Sequence, residues 1–328
     1  MSGTVYCTLF DHRYISRGLL MFDSLKKHQP EARLYVFAFD ELTYELLCEL
    51  KKTDLIPVSL SAFEDEALLQ VKPSRTAGEY CWTSTSSTIL FVLEKYQESH
   101  CTYLDADLLF YHNPAILFAE MPVTASVLIT EHRYTPRYDQ SQLSGRFCVQ
   151  FVYFRNDAQG LEVLRWWRNA CLEWCYNRHE DGKFGDQKYL DDWEQRFRGV
   201  HSLKHPGGGL APWNIQQYLF TPTAETLLLE VKKTGQKFPV VFFHFHGVKL
   251  FEQHAILAPK HYLISRSVRR YFYNPYLMAL QEENSLLSRL FPGRFKNKPG
   301  TVAAYWKEKL LKGNGSWLIN NVFRALLG

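Results

Sequence analysis

The feature that most constrains this chain is a repeated alternation near its N-terminus. Short apolar runs at Val5–Phe10, 34–39, 55–58 and 101–104 are separated by segments with apolar residues at helical spacing. Leu19, Leu20, Phe22 and Leu25 form one such stripe, residues 42–50 a second and residues 85–96 a third. Runs this short and continuously apolar suit strands buried on both faces, which implies a mostly parallel sheet covered by helices. Two further strands are predicted over 125–129 and 149–154, a helix over 161–178, and another strand over 240–245. The fold class read from this pattern is α/β, a single Rossmann-like domain with a mostly parallel central sheet.

At 328 residues, with 46% hydrophobic and 22% charged side chains, the chain has ample material for a core. This excludes a disordered or disulfide-scaffold protein. The longest apolar candidate for a membrane span, residues 238–245, is far shorter than the ~18 residues required. No basic region followed by an apolar run opens the sequence, so a cytoplasmic location is expected. The seven cysteines lack a Cys-x-x-Cys spacing and read as reduced thiols, most of them filling the core.

The net charge of +4 is unevenly placed. From Arg289 onward there are eight basic residues and one acid, Glu308, which leaves residues 1–288 with a net negative charge. A negative body argues against nucleic acid as a partner. Two regions follow: a domain over 1–288 and a basic, aromatic C-terminal extension over 289–328. The extension interleaves its cations with Tyr305, Trp306, Trp317 and Phe323, a composition suited either to an anionic membrane surface or to a helix docked on the body.

In open sheets of this kind, ligands collect beyond the carboxyl ends of the strands. Asp11, Asp40, the pair Asp105/Asp107 and the pair His244/His246 all fall at such ends. Asp105 and Asp107 stand two apart in an apolar run, and in an extended chain they would share a face. Two close carboxylates repel unless a proton or cation lies between them, and no Arg or Lys is adjacent in sequence. A divalent cation with oxygen ligands resolves this, and phosphate oxygens would complete its shell. The alternative is that both acids cap a turn at the sheet edge. One of the two histidines would complete the set, and a mixed carboxylate–imidazole set leans toward Mn²⁺ over Mg²⁺.

Other motifs have plainer readings. Cys171, Cys175 and His179 are spaced to align on a helix but belong to an apolar stripe, so core packing is expected. Gly207-Gly208-Gly209 matches neither a dinucleotide fingerprint nor a P-loop and reads as a flexible turn. Gly185-Asp186-Gln187 precedes a predicted helix start, with Asp186 either its N-cap or a contact to a polar substrate. A lid over the site is sought in residues 133–146 or around Gly207.

Four elements occur in order: Asp11-His12-Arg13-Tyr14, Leu104-Asp105-Ala106-Asp107, Gly185-Asp186-Gln187, and His244-Phe245-His246-Gly247 followed by Lys249. Together they resemble the nucleotide-sugar glycosyltransferases with a single Rossmann-like domain (GT-A type). The resemblance is closest to the retaining group that includes glycogenin and bacterial lipooligosaccharide galactosyltransferases. It implies a metal-dependent transfer of a sugar from a UDP-sugar to a glycan or lipid-linked acceptor, such as a lipopolysaccharide-like glycan at the inner face of a membrane.

By the same resemblance, Asp105, Asp107 and His244 would hold Mn²⁺ or Mg²⁺, with Asp105 also near the ribose. Lys249 would contact the diphosphate and Gly247 would let the backbone approach it. Asp11 and Tyr14 would frame the uracil and ribose. Asp186 would hydrogen-bond the donor sugar, and Gln187 would sit beside the anomeric carbon. One departure is Trp82, which occupies the place where the family often carries an arginine; either Arg75 substitutes from upstream or the donor pocket differs. The competing readings are a metal-dependent phosphohydrolase of nucleotide diphosphates and a non-catalytic nucleotide-sugar-binding protein.

Overall fold

The computed structural model describes residues 4–251, 255–257 and 262–295. Its centre is a seven-stranded sheet in the order β3-β2-β1-β4-β7-β6-β8. The strands are β1 (Val5–Phe10), β2 (Arg33–Ala38), β3 (Leu55–Ser59), β4 (His100–Leu104), β6 (Val127–Glu131), β7 (Phe147–Arg155) and β8 (Val200–Ser202). Every pairing is parallel except those of β7, which runs antiparallel to both β4 and β6. The mixed sheet flanked by helices is the predicted Rossmann-like architecture with one strand reversed.

Alternate residues of β1 explain why its run is apolar except for Thr8, which is itself buried. Val5, Cys7 and Leu9 pack beneath α3 (Ala77–Lys95) and α4 (Ala158–Glu173), whereas Tyr6 and Phe10 join α1 (Ile15–His28) and α2 (Glu41–Leu50) on the opposite face. Both faces are therefore shielded from water, and a polar residue on either would be left without solvent.

Helix α3 begins eight residues before the predicted start. A capping box closes its N-terminus, with the Thr76 hydroxyl accepting from the Glu79 amide and the Glu79 carboxylate accepting from the Thr76 amide. Six consecutive Ser/Thr residues, Thr83 to Thr88, are all buried on it. Such residues are weak helix formers, which obscured where the helix begins in the sequence. Thr83 and Thr85 donate their hydroxyls to the carbonyls of Glu79 and Cys81 one turn back. Helix α4 conversely stops at Glu173, so Cys175 and His179 leave its face; Cys171 and Cys175 are buried and His179 is exposed. All seven cysteines are free.

A second layer lies beside the sheet's carboxyl edge. The strands β9 (Tyr218–Pro222), β10 (Leu227–Val231) and β11 (Lys237–Pro239) form a meander. Two short ribbons accompany it: β5 (Leu108–Phe110) with β12 (Phe242–His244), and β13 (Val248–Leu250) with β14 (Ala255–Leu257). Of the predicted strand over 240–245, only residues 242–244 are strand, forming β12. Helix α5 (Asn274–Leu290) covers this layer, with Tyr276 stacked on Phe245 at 3.7 Å.

The described start of the basic extension is docked. The 288/289 division falls within α5, Phe291 and Phe295 are buried, and Arg294 pairs with Glu45 and Glu49 of α2 at 2.8 and 2.7 Å. Residues 296–328, with Trp306 and Trp317, lie outside the described residues. Among the described residues no helix is long and apolar enough to cross a membrane.

Candidate metal and substrate site

Strand β4 ends at Leu104, and the chain turns over Asp105 and Ala106 before β5 begins at Leu108. The acidic pair thus lies on a turn, not in the extended chain expected from its apolar neighbours. The apolar character belongs to two strands that happen to flank one tight turn, closed by the Leu108 amide donating to the Asp105 carbonyl at 3.3 Å.

The β5–β12 ribbon then determines which histidine joins the pair. Its antiparallel register sets Leu108 opposite His244, and the Phe245 amide donates to the Asp107 carbonyl at 2.9 Å. Nε2 of His244 consequently stands 3.0 Å from Asp107 Oδ1 and 3.7 Å from Asp105 Oδ2. One ligand atom from each residue lies within 4.8 Å of the others. Two carboxylate oxygens and one imidazole nitrogen suit a small divalent cation, and this set leaves the remaining coordination positions to water or phosphate. His246 is exposed, its ring centroid 5.9 Å from that of His244.

Charge is balanced within the triad in a way that matches a cation site. Burial works against a charged Asp107, but the charge and hydrogen bond of His244, with His246 and Arg17 behind, outweigh it and hold the carboxyl low. Burial pushes Asp105 upward, with Asp107 adding to the effect and His244 opposing it. Burial disfavours an imidazolium at His244, yet Asp107 overrides it and raises the histidine well above its ordinary value. Asp107 thus favours positive charge at His244, the place to which a cation would bring it.

The other predicted site residues come from loops and helix starts as well as strand ends. Asp186 is buried, and its main-chain carbonyl accepts from the Trp167 indole at 2.9 Å. Burial, reinforced by the charge of Asp105, pushes its carboxyl up to about 8, against the Thr85 hydroxyl and nearby amides. It carries a proton at neutral pH. Asp186 is not an N-cap: the short helical turn Lys188–Asp192 starts after Gln187 and has no side-chain cap. Gln187 donates its amide to the Ser144 carbonyl at 2.7 Å.

Trp82 packs against Gly185, where a Cβ would lie 3.4 Å from the indole. Gly185 has φ +53, so glycine satisfies both the turn and the close approach. Arg75, the upstream substitute, donates to the Leu172 carbonyl and covers the Tyr176 ring at 3.9 Å.

Along β1 and α1, Asp11 accepts from the Arg13 amide at 3.0 Å and from its Nε at 2.8 Å. Tyr14 is exposed at the start of α1, and the Arg17 guanidinium lies 4.4 Å from its ring centroid. Arg17 is buried and donates to the carbonyls of Arg13 and Val248 at 3.1 and 3.2 Å. It ties α1 to the segment carrying Gly247, whose φ is +84, and Lys249, which is exposed on β13. Asp40 serves locally instead, capping α2 through the Thr43 amide and accepting from His12.

The three glycines at 207–209 are buried and close-packed, not a flexible turn. The Gly207 carbonyl accepts from the Val241 amide at 2.9 Å, and a Cβ on Gly207 would meet the Pro239 carbonyl oxygen at 2.0 Å. Arg133 donates to the carbonyls of Gly208 and Leu203, so the two segments considered as lids are joined to each other.

Sequence reasoning missed Arg17, Thr85, Gln150 and Trp213, whose ring meets His244 edge-on at 5.5 Å. Arg17 had a signal, since it lies three residues after Tyr14 and so shares its helix face. Gln150 had one too, as an amide in the otherwise apolar run 147–152.

No family model matches the chain. Among solved structures, the galactosyltransferase LgtC in complex with donor and acceptor sugar analogs aligns over 94% of this chain and 100% of its own. It does so with a TM-score of 0.51 at 12% identity, which shows a shared GT-A-like fold. The glycosyltransferase GlyE of Streptococcus pneumoniae TIGR4 aligns over 92% of this chain and 66% of its own, with a TM-score of 0.47 at 15% identity.

In sequence, the uncharacterized protein YfnD of Bacillus subtilis is 32% identical over 305 residues, 89% of this chain and 93% of that protein. The uncharacterized protein YfnF of the same organism is 32% identical over 254 residues, 75% of this chain and 82% of that protein. On this extent of shared sequence, the chain belongs to the family of YfnD and YfnF.

Proposed function

We propose that this protein is a glycosyltransferase that moves a sugar, a hexose, from a UDP-sugar to a glycan or lipid-linked acceptor with retention of configuration. The observation that carries the proposal is the meeting of Asp105, Asp107 and His244 at the carboxyl edge of a GT-A-like sheet. Held there, Mn²⁺ or Mg²⁺ would supply positive charge for a departing diphosphate.

The chain's own residues account for the rest. Lys249 provides a second positive charge near the phosphates, and Arg17 fixes the main chain of that segment through the Val248 carbonyl. Gly247 lets the backbone approach without a side chain in the way. Asp11 and Tyr14 frame the base and ribose. Asp186, protonated at neutral pH, donates a hydrogen bond to a hydroxyl of the donor sugar. Gln187, held through Ser144, places a neutral amide beside the anomeric carbon, which favours retention over base-assisted inversion.

The acceptor is proposed to lie at a membrane's inner face, where the basic aromatic region from Arg289 onward would meet anionic lipid and present a lipopolysaccharide-like glycan to a peripheral, cytoplasmic enzyme. A panel of UDP-sugars with Mn²⁺, read by UDP release and product mass with and without acceptors, tests the reading. Acceptor-dependent transfer supports it. Release of sugar phosphate without acceptor indicates a phosphohydrolase, and UDP binding with no turnover indicates a binding protein.

A further inference from the structure

Gln150 lies at the middle of β7 with no exposed surface. Its main-chain carbonyl accepts from the Asp105 amide at 3.1 Å. Its side-chain Oε1 faces Nδ1 of His244 at 2.8 Å, across 94 residues of sequence. One residue therefore touches both arms of the acidic-imidazole triad, one through its backbone and the other through its side chain.

The contact with His244 has a chemical consequence. An amide oxygen only accepts, so Nδ1 must carry the hydrogen, and Nε2 is the nitrogen turned toward the two carboxylates. A histidine that ligates a metal through Nε2 needs this arrangement, because the hydrogen bond at the other nitrogen fixes tautomer and ring orientation. The amide is itself held in a tight space. A Cβ on Gly209 would stand 3.3 Å from Gln150 Nε2 and 2.7 Å from Thr130 Cγ2, so the buried glycine run leaves room for this side chain and no more. Gln150 Nε2 is buried without a hydrogen-bond partner among the described residues. A buried amide with one half unsatisfied is costly, and an apolar residue of the same length would avoid that cost. The Cys148 thiol also lies beside the same imidazole but is a much weaker acceptor.

We infer that Gln150 is a positioning residue of the metal site: it holds His244 in the orientation and tautomer that direct Nε2 at a divalent cation shared with Asp105 and Asp107. This rests on the metal-dependent reading given above.

The test is Mn²⁺ titration of the full-length protein by calorimetry, without nucleotide, for the wild type, Gln150→Met and Gln150→Glu. Methionine keeps length and removes the acceptor; glutamate keeps an acceptor oxygen. Q150M is expected to bind Mn²⁺ about 10–100-fold more weakly, the usual cost of losing such a partner, and Q150E to recover most of the loss. Melting in EDTA reports folding separately. Wild-type affinity in Q150M overturns the inference, as does equal weakening in Q150M and Q150E that tracks a fall in melting temperature. Should Q150M not fold, nitrogen-15 histidine spectra of the Mg²⁺-loaded wild type decide, since a ring with Nε2 protonated and Nδ1 bare at His244 overturns it. A wild type that binds neither ion overturns the metal-dependent reading itself.

Discussion

Nε2 of His244 lies 3.0 Å from Oδ1 of Asp107, two side chains carried to each other by the register of a three-residue ribbon. Neither strand is long enough to be stable alone, so the pair exists only because the surrounding core holds both. Asp107→Asn removes one charge from the triad and leaves its volume unchanged. It is expected to abolish Mn²⁺-dependent UDP binding and sugar transfer. Calorimetry with UDP and Mn²⁺ checks this, and an unchanged affinity would refute the ligand assignment.

The same contact makes cation binding depend on pH. His244 is raised well above its ordinary value by Asp107, so the metal-free protein holds a proton where the cation's ligand nitrogen must be bare. Mn²⁺ should therefore bind more tightly as pH rises, with proton release on binding. Titrations in two buffers of different ionisation enthalpy measure the protons released; identical apparent enthalpies would contradict the prediction.

Asp186 gives a pH dependence of opposite sense in stability. Burial raises its carboxyl from an unfolded value near 3.8 to about 8, so the native state binds the proton more strongly than the unfolded chain. Its contribution is complete below the lower value and is lost progressively as pH rises through about 8. In EDTA, the wild type should lose melting temperature over this interval relative to Asp186→Asn, whose neutral amide cannot titrate. Parallel pH–melting curves for the two proteins would count against a protonated Asp186.

Gly209→Ala should destabilise the fold by roughly 2 kcal/mol, because φ is +91 and the new methyl group meets Thr130. The same change crowds Gln150, so Mn²⁺ affinity should fall with it. Denaturant unfolding and metal titration measure the two effects.

Truncation after Phe295 retains the buried Phe291 and Phe295 and the Arg294 ion pairs while removing residues 296–328. Binding to anionic vesicles should drop, and UDP release from a UDP-sugar with Mn²⁺ should persist. Equal vesicle binding by both proteins would exclude the tail as a membrane contact.

Asp11, the acidic pair and His244 were readable in order along the chain because each ends or follows a short apolar strand, and strand ends are where an open sheet presents ligands; Asp186 and Gln187 lie instead between a helix and a short helical turn, where no such pattern marks them. The alternating pattern also gave the layers, since a strand shielded on both sides is mostly apolar and carries only a few buried polar residues such as Thr8 and Gln150. Local propensity was a poorer guide to α3, whose Ser/Thr run is helical because small hydroxyl-bearing side chains let it pack closely on the sheet and bond back to their own turn. The glycine run likewise reads as flexible in isolation, yet a Cβ at any of its three positions would meet a neighbouring atom at 2.7 Å or closer.

By itself, then, the sequence determined the first strands of the sheet, the acidic pair at a strand end and the histidine strand, all of which follow from periodicity and charge over a few neighbouring residues, whereas the turn that carries the pair came from the tertiary structure. Only the tertiary structure decided that His244 and not His246 faces the aspartates, that Gln150 and Arg17 support them from β7 and α1, and that Trp82 closes on Gly185. Those relationships depend on strand register and on contacts between distant segments, and no local pattern encodes them.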